Sequence, residues 1–274
     1  MPLNALLLIL YAVAGVAYAV QFTRRTFSTS RAATVLLVLA AFAHTFVIGM
    51  ETMRVGHVPF ASATSAISTT VWLLALSYLY LELTTGERAM GAFILPLLIA
   101  LQTIPAASPM VEPRRAILES PWFGVHVSSL LFAYASFALA AVLGITYVLQ
   151  FKEIKAKHLG FFYARLPSLN VLDEMNLRAV KIGWLFLTVG LIAGGIWASQ
   201  LQPSGDPTTS AMSFGDPKIF VAVLCWAVYS FELFAQRAIG WRGRRAAWLS
   251  AVGFGIVLLN LVPVSYFFTT SHNF

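Results

Sequence analysis

The chain has 274 residues, of which 59% are hydrophobic and 11% are charged, with a formal net charge of +7. A soluble domain of this size could not bury so much apolar surface, so the composition predicts an all-α, polytopic membrane protein. The basic residues form short clusters between apolar runs, which argues against nucleic-acid binding, and the single Cys225 excludes a disulfide or a thiol pair for redox exchange.

Eight apolar runs predict about eight transmembrane helices in a single integral-membrane domain covering residues 1–274. The fourth run is short and contains Pro96 and Pro105. Arg24 and Arg25 come after the first run, which favours a retained helix over a cleaved signal. The predicted spans are roughly 2–21, 31–50, 66–83, 90–105, 122–150, 177–200, 218–238 and 246–268.

The distribution of lysine and arginine predicts the orientation of these spans. Fourteen of the 18 basic residues fall in alternate loops, after spans one, three, five and seven, and the exceptions are Arg54, Arg114, Arg115 and Lys218. Because basic loops stay in the cytoplasm, both termini are expected to be extracytoplasmic. We therefore expect a multi-pass protein of a bacterial plasma (inner) membrane, surrounded by lipid.

Four of the five histidines fall on the predicted outer side of the membrane. His126 lies one turn inside span five and His272 follows span eight, so both are expected at the outer face on different helices. His57 lies in the first outer loop and His44 in the outer half of span two, whereas His158 is expected to be solvated in a cytoplasmic loop. From the residues alone, His126 and His272 are either interfacial polar residues or metal ligands.

Two further segments have a predicted structure. Segment Arg165–Lys181 contains a helix start at Ser168 and an apolar stripe, which predicts a short interfacial helix leading into span six. Gly190 and Gly194 form a pair of small residues four apart, which predicts a close helix crossing rather than a site.

Several segments, taken in this order and on these sides, resemble the cytochrome c assembly protein family, which comprises the CcsA-type proteins of system II cytochrome c maturation and the related HemX proteins. The resemblance covers a core of about 31–272. The matching segments are AFAHTFVIGMETMRVGHVP at 41–59, SPWFGVHVSSLLFAYASFALA at 120–140, RLPSLNVLDEMNLRAVKIGWLFLTVGLIAGGIWA at 165–198, FGDPK at 214–218 and GWRGRRAAWLSAVGFGIVLL at 240–259.

The resemblance implies a non-covalent, b-type haem at the outer face. It assigns the two axial ligands of the iron to His126 and His272, which approach from separate helices as a bis-imidazole haem requires. It also implies that Trp122, Phe214 and Asp216 contribute to cofactor binding.

The outer loop of the chain departs from the pattern of this family. CcsA-type members carry several tryptophans there, whereas this chain has Trp197 and then no tryptophan until Trp226. Much of an aromatic platform for a porphyrin is therefore missing. This departure favours a HemX-like or divergent accessory member over a full synthetase.

The intramembrane histidines of the family are only half preserved. His44 matches the first, but the second precedes an arginine in span seven, and here that position is Ala235, before Arg237. His44 is therefore expected either to bind haem as a single ligand or to hydrogen-bond a neighbouring helix. Glu232 is expected to pair with arginine near the cytoplasmic end.

Three functions follow from these observations. The first is a haem-binding protein that holds haem at the outer face for handover, with apocytochrome c and an assembly partner membrane protein as partners and no enzyme activity of its own. The second is a HemX-like regulator of haem synthesis that acts through protein contacts, without haem ligation, using cytoplasmic residues such as 152–181. The third is a transporter with His44 and Glu232 as a polar relay.

Overall fold

The computed structural model describes residues 2–24, 27–108, 120–157, 160–200 and 217–259. In these ranges all regular elements are helical, which confirms the all-α prediction. The helices are α1 Pro2–Arg24, α2 Phe27–Val55, α3 Ala63–Thr85, α4 Gly91–Ala107, α5 Pro121–Lys155, α6 Phe161–Arg165, α7 Leu169–Gln200, α8 Pro217–Phe234, a π-helical turn Ala235–Ile239, and α9 Arg244–Leu259.

Six of the described helical segments are long and apolar enough to cross a membrane: Leu3–Arg24, Arg31–Val55, Ala63–Thr85, Pro121–Lys155, Leu169–Gln200 and Pro217–Ile239. They confirm a polytopic membrane protein. The fourth predicted span corresponds to α4, which has 17 residues. The eighth begins with α9 and its predicted remainder, 260–268, lies outside the described residues. The number of eight crossings and the outer position of both termini stay predictions.

Local sequence signals explain where several helices begin and end. The Ser62 hydroxyl accepts a hydrogen bond from the backbone N–H of Ser65 and caps the start of α3, and Gly86 ends that helix in the left-handed conformation. Pro121 occupies the first position of α5, where a missing N–H has no helical acceptor to lose. With 35 residues, α5 is about 50 Å long.

The predicted interfacial helix is not a separate element. Its start is close to the prediction, because the hydroxyl of Ser168 accepts a 3.4 Å hydrogen bond from the backbone N–H of Val171 at the beginning of α7. However, α7 then continues unbroken to Gln200. No proline lies within Leu169–Gln200, and Leu172 and Met175 are buried against the other helices, so nothing interrupts the helix where the membrane span was expected to start.

Helix α5 lies at the centre of the packing. It contacts α7, α9 and α3, while α1, α2, α3 and α4 pack on one another, so α3 joins the two groups. Small residues allow close approach: a Cβ on Gly144 would lie 2.6 Å from the carbonyl oxygen of Ala247 in α9. Phe137 stacks on Tyr229 of α8 with ring centroids 3.6 Å apart.

The described residues distinguish two ends of the helix bundle. At the first, which we call the His126 end, Phe123 at the start of α5 packs against Phe60 of the α2–α3 loop and Trp197 near the end of α7. At the second, the basic end, Arg178 of α7 donates to the carbonyl of Thr84 in α3. Among the described residues, the predicted outer loop between α2 and α3 thus lies at the first end, and the predicted cytoplasmic end of α3 lies at the second.

Candidate functional site

His126 lies in the second turn of α5 and is half-buried against α7. Its Nδ1 is 2.7 Å from the carbonyl oxygen of Gly190. A carbonyl can only accept, so Nδ1 carries the proton in this contact and the lone pair of the neutral ring resides on Nε2. This arrangement is typical of histidines that bind a metal through Nε2. The hydrogen bond from Nδ1 orients the ring and makes Nε2 a better ligand.

The glycine pair of α7 makes room for this ring. A Cβ on Gly194 would lie 2.5 Å from Nδ1 of His126, and a Cβ on Gly190 would lie 2.9 Å from the side chain of Leu130. The predicted close crossing of α5 and α7 is therefore present. Gly194 also makes room for the imidazole of His126, which the sequence analysis did not anticipate.

Aromatic side chains border His126. The ring of Trp197 lies 6.4 Å from that of His126 and 4.8 Å from that of Phe123, and Phe60 follows at 5.6 Å from Phe123. Trp197 is 4% exposed, whereas Trp122, the tryptophan expected at the site, is 39% exposed at the start of α5. Trp197 therefore lies beside His126, which the spacing of Gly190, Gly194 and Trp197 on one helix face could have indicated.

His57 belongs to the same aromatic cluster, although it was expected simply as an outer-loop residue. Its ring packs beside Phe60 at a centroid distance of 6.4 Å and is 8% exposed. Nδ1 is 2.9 Å from the carbonyl of Val58, while Nε2 is buried without a hydrogen-bond partner among the described residues. No sequence signal distinguished this histidine from a solvated one.

Three predicted members of the site lie outside the described residues: His272, Phe214 and Asp216. His158, which was expected to be solvated, lies outside them as well. The predicted pairing of His126 with His272 therefore stays a prediction. Within the described ranges, no group of three or more His, Cys, Asp or Glu side chains is arranged to hold a metal ion.

His44 is fully buried between α1 and α3. Its Nδ1 is 3.0 Å from the hydroxyl of Tyr11, and its Nε2 is 3.0 Å from the hydroxyl of Ser68. Both ring nitrogens are thus engaged by hydroxyl groups of neighbouring helices. Of the two alternatives for His44, this geometry corresponds to hydrogen bonding with neighbouring helices.

Glu232 does not form the predicted ion pair with arginine within the described residues. Its Oε1 instead accepts a 2.7 Å hydrogen bond from Ser250, and Gln236 lies 3.5 Å from the same oxygen. The partners of Glu232 therefore lie on α9 and the π-helical turn, whereas those of His44 lie on α1 and α3. The two residues expected to form a polar relay belong to separate clusters.

Comparisons with known proteins agree with the resemblance found in the sequence. The family model described as "Cytochrome C assembly protein" matches residues 3–272. A protein named "Cytochrome c biogenesis protein CcsA" from Guillardia theta is 26% identical over 257 residues, covering 86% of this chain and 83% of the relative.

Two further proteins with that name show similar likeness. The one from Heterosigma akashiwo is 28% identical over 238 residues, covering 74% of this chain and 72% of its own length. The one from Synechococcus elongatus is 25% identical over 256 residues, covering 77% of each. The family model spans nearly the whole chain, and the chain therefore belongs to the cytochrome c assembly protein family.

Proposed function

We propose that this protein binds haem at the His126 end and holds it for handover during cytochrome c assembly. His126 and His272 would be the axial ligands. One observation carries the proposal: the carbonyl of Gly190 engages Nδ1 of His126 and so directs the lone pair of the ring to Nε2. An interfacial histidine that only contacted water and headgroups would not need a ring orientation set by a backbone carbonyl of another helix.

The position of the second ligand is supported by the course of the chain. Helix α9 begins at the basic end and packs along α5, so the chain leaves it toward the His126 end, and His272 follows 13 residues after Leu259. Haem would supply an iron that takes one imidazole on each face of the porphyrin. Trp122, Phe214 and Asp216 would line the non-covalent site, and Trp197 would hold the ring of His126 in position.

The handover needs groups that this chain lacks. Its single thiol, Cys225, is buried in α8, so the apocytochrome would supply the thiols for covalent attachment. We therefore propose apocytochrome c and a second membrane protein of the assembly pathway as partners, with no reaction completed by this chain alone. The setting would be a bacterial inner membrane with both termini outside and residues 1–274 forming one domain.

His44 has a different role in this proposal. Because Tyr11 and Ser68 occupy both of its ring nitrogens, we propose that it joins α1, α2 and α3 and does not bind haem. The separation of the His44 and Glu232 clusters also leaves a polar relay across the bundle without support.

The test is the absorption spectrum of detergent-purified protein, loaded with haem during expression, in the oxidised and reduced states. We expect a Soret band with a low-spin, bis-imidazole spectrum. His126→Ala and His272→Ala should each lower haem retention, and added imidazole should partly restore the low-spin spectrum because it can occupy the vacated position. His158→Ala serves as the control and should match the parent.

Two outcomes would contradict the proposal. One is a parent protein without Soret absorption, in which case a regulator acting through protein contacts becomes the better hypothesis. The other is an unchanged low-spin spectrum in both the His126→Ala and His272→Ala variants, which would place the haem elsewhere. A changed outer-site spectrum in His44→Ala protein of parental stability would contradict the role given to His44.

A further inference from the structure

At the basic end, α9 and the adjoining face of α5 line an open groove that the proposed haem site does not use. The two helices touch where Gly144 meets the backbone of Ala247, and beside this crossing lie cavities of about 140, 390 and 510 Å³. Trp248 lines all three, and 53% of its surface is exposed. The cavities are therefore neighbouring parts of one groove around a single indole.

Four positive charges surround the two larger cavities. Lys152 and Lys155 line the 390 Å³ cavity, Arg245 lines the 510 Å³ cavity, and Arg244 lines both. None of these four cations takes part in the ion pairs found among the described residues. The groove thus has an excess of positive charge with no carboxylate of the described chain neutralising it.

The two nearby acidic side chains, Glu153 and Asp173, accept hydrogen bonds from the backbone. Glu153, next to Lys152 in sequence, accepts a hydrogen bond from the backbone N–H of Tyr163, at the α6 side of α5. Asp173 accepts one from the backbone N–H of Gly243. Neither carboxylate forms an ion pair with the four cations among the described residues, which leaves these cations available to an anion from outside the chain.

The arginines are held in place by aromatic rings. The guanidinium of Arg244 lies 5.6 Å from the ring centre of Phe151, and that of Arg245 lies 5.2 Å from Trp241. Such cation–π contacts orient the side chain before a ligand arrives, and guanidinium groups bind phosphate with two parallel hydrogen bonds. Less side-chain freedom is then lost on binding.

Toward the middle of α5 and α9 the groove becomes apolar. Ile145 and Leu149 line the smallest cavity, and Val252 lines the largest; these side chains are 52%, 42% and 56% exposed. A ligand that fits must therefore carry an anionic head at the end of the bundle and hydrocarbon along the helices. A soluble phosphate compound would match only the basic part of the groove.

We propose that the groove is a binding site for an anionic phospholipid, and that a headgroup with two phosphates fits it best. One phosphate would lie among Lys152, Lys155 and Arg244, and the other between Arg244 and Arg245, with Trp248 between the two positions. Acyl chains would follow the apolar part of the groove. Basic pockets between transmembrane helices are suited to lipids of this class. The site is independent of the proposed haem ligands.

The test is native mass spectrometry and thermal unfolding of the full-length protein in a mild detergent, with added cardiolipin, phosphatidylglycerol or phosphatidylcholine. We expect retained cardiolipin adducts and the largest rise in Tm with cardiolipin, a smaller rise with phosphatidylglycerol, and none with phosphatidylcholine. The variant Lys152→Gln/Lys155→Gln should bind cardiolipin roughly 25-fold more weakly, because each basic residue near a membrane contributes about fivefold. Arg244→Gln should weaken binding as well.

The matched control is Lys181→Gln/Arg237→Gln, which removes the same charge from exposed positions outside the groove. It should bind cardiolipin as the parent does. Equal losses in the control and the groove variants would overturn the proposal, since binding would then follow net charge alone. A rise in Tm with phosphatidylcholine equal to that with cardiolipin would overturn it too. So would a protein whose Tm rises with added haem but does not change with any phospholipid.

Discussion

At the scale of single residues, three described histidines show that the surroundings of an imidazole determine which role it is suited to. His126 has Nδ1 on a backbone carbonyl, His44 has both nitrogens on hydroxyl groups, and His57 keeps a buried Nε2 without a partner among the described residues. The imidazole is the same in all three. The first arrangement is suited to ligation, the second to joining helices, and the third to packing in an aromatic cluster.

Gly194→Ala tests whether the space that Gly194 leaves for the ring of His126 matters for haem binding. The new Cβ would lie 2.5 Å from Nδ1, so the ring must move and its bond to Gly190 should weaken. We expect a lower haem occupancy, by about tenfold or more if the displacement removes a hydrogen bond of roughly 1.5 kcal/mol. Gly195→Ala is the matched control, because a Cβ there meets nothing within 4 Å. Equal haem retention in both variants would contradict a role for the space at Gly194 in positioning His126.

His57 permits a second prediction at this scale. His57→Ala should lower the free energy of unfolding by about 1–3 kcal/mol, because it leaves a gap beside Phe60. His57→Phe should stay within about 1 kcal/mol of the parent, since it fills the space and removes the buried Nε2. Thermal unfolding in detergent measures both. A His57→Phe variant that is stable yet loses haem would instead give His57 a direct role in haem binding.

At the scale of helices, α5 organises the second half of the chain, while a buried carboxylate joins the first three helices. Glu82 near the end of α3 is 1% exposed and accepts hydrogen bonds from Tyr18 of α1 and Thr34 of α2, at 2.5 Å each. Arg88 lies 3.6 Å from the same carboxylate. A single side chain thus holds the basic ends of α1, α2 and α3 together.

Removing that carboxylate should destabilise the first helices. Glu82→Ala leaves two buried hydroxyl groups and Arg88 without this acceptor, so we expect a loss of roughly 2–4 kcal/mol in unfolding free energy and a clearly lower Tm. Glu87→Ala removes the same charge from the adjoining loop and should change Tm little. Similar Tm values for the two variants would mean that the Glu82 cluster contributes no more than net charge does.

At the scale of the whole molecule, the two ends differ in chemistry. The His126 end gathers aromatic rings and two of the described histidines, and the basic end gathers the arginines and lysines of α5, α7 and α9. Membrane proteins keep their basic loops in the cytoplasm. The basic end is therefore expected inside and the His126 end outside.

Reporter fusions test this orientation. A reporter active only in the cytoplasm should be silent when fused after Phe274 and active when inserted in the basic loop near Gly160. The physical reason is that translocating the clustered basic residues between α5 and α7 is unfavourable. Strong cytoplasmic activity after Phe274 would contradict the count of eight spans and would put His272 on the wrong side of the membrane for haem handover.

The amino-acid sequence was sufficient to predict the class of protein and the approximate positions of the described helices. These follow from local properties, namely apolar runs of sufficient length and basic clusters between them. The start of α7 near Ser168 and the start of α5 at Pro121 were likewise predictable. A hydroxyl cap or a proline affects the backbone only within about one helical turn of its own position. The break between an interfacial helix and span six was not present, since the apolar face simply continues along α7.

Which side chains contact one another could be seen only in the folded protein. His126 and Gly190 are 64 positions apart, and His44 and Tyr11 are 33 apart, so no local pattern could show which nitrogen each ring offers. The same holds for buried His57 and for Glu232, which has Ser250 as its partner instead of an arginine. A residue type states which chemistry is available; the hydrogen bonds that use it depend on helices brought together by packing.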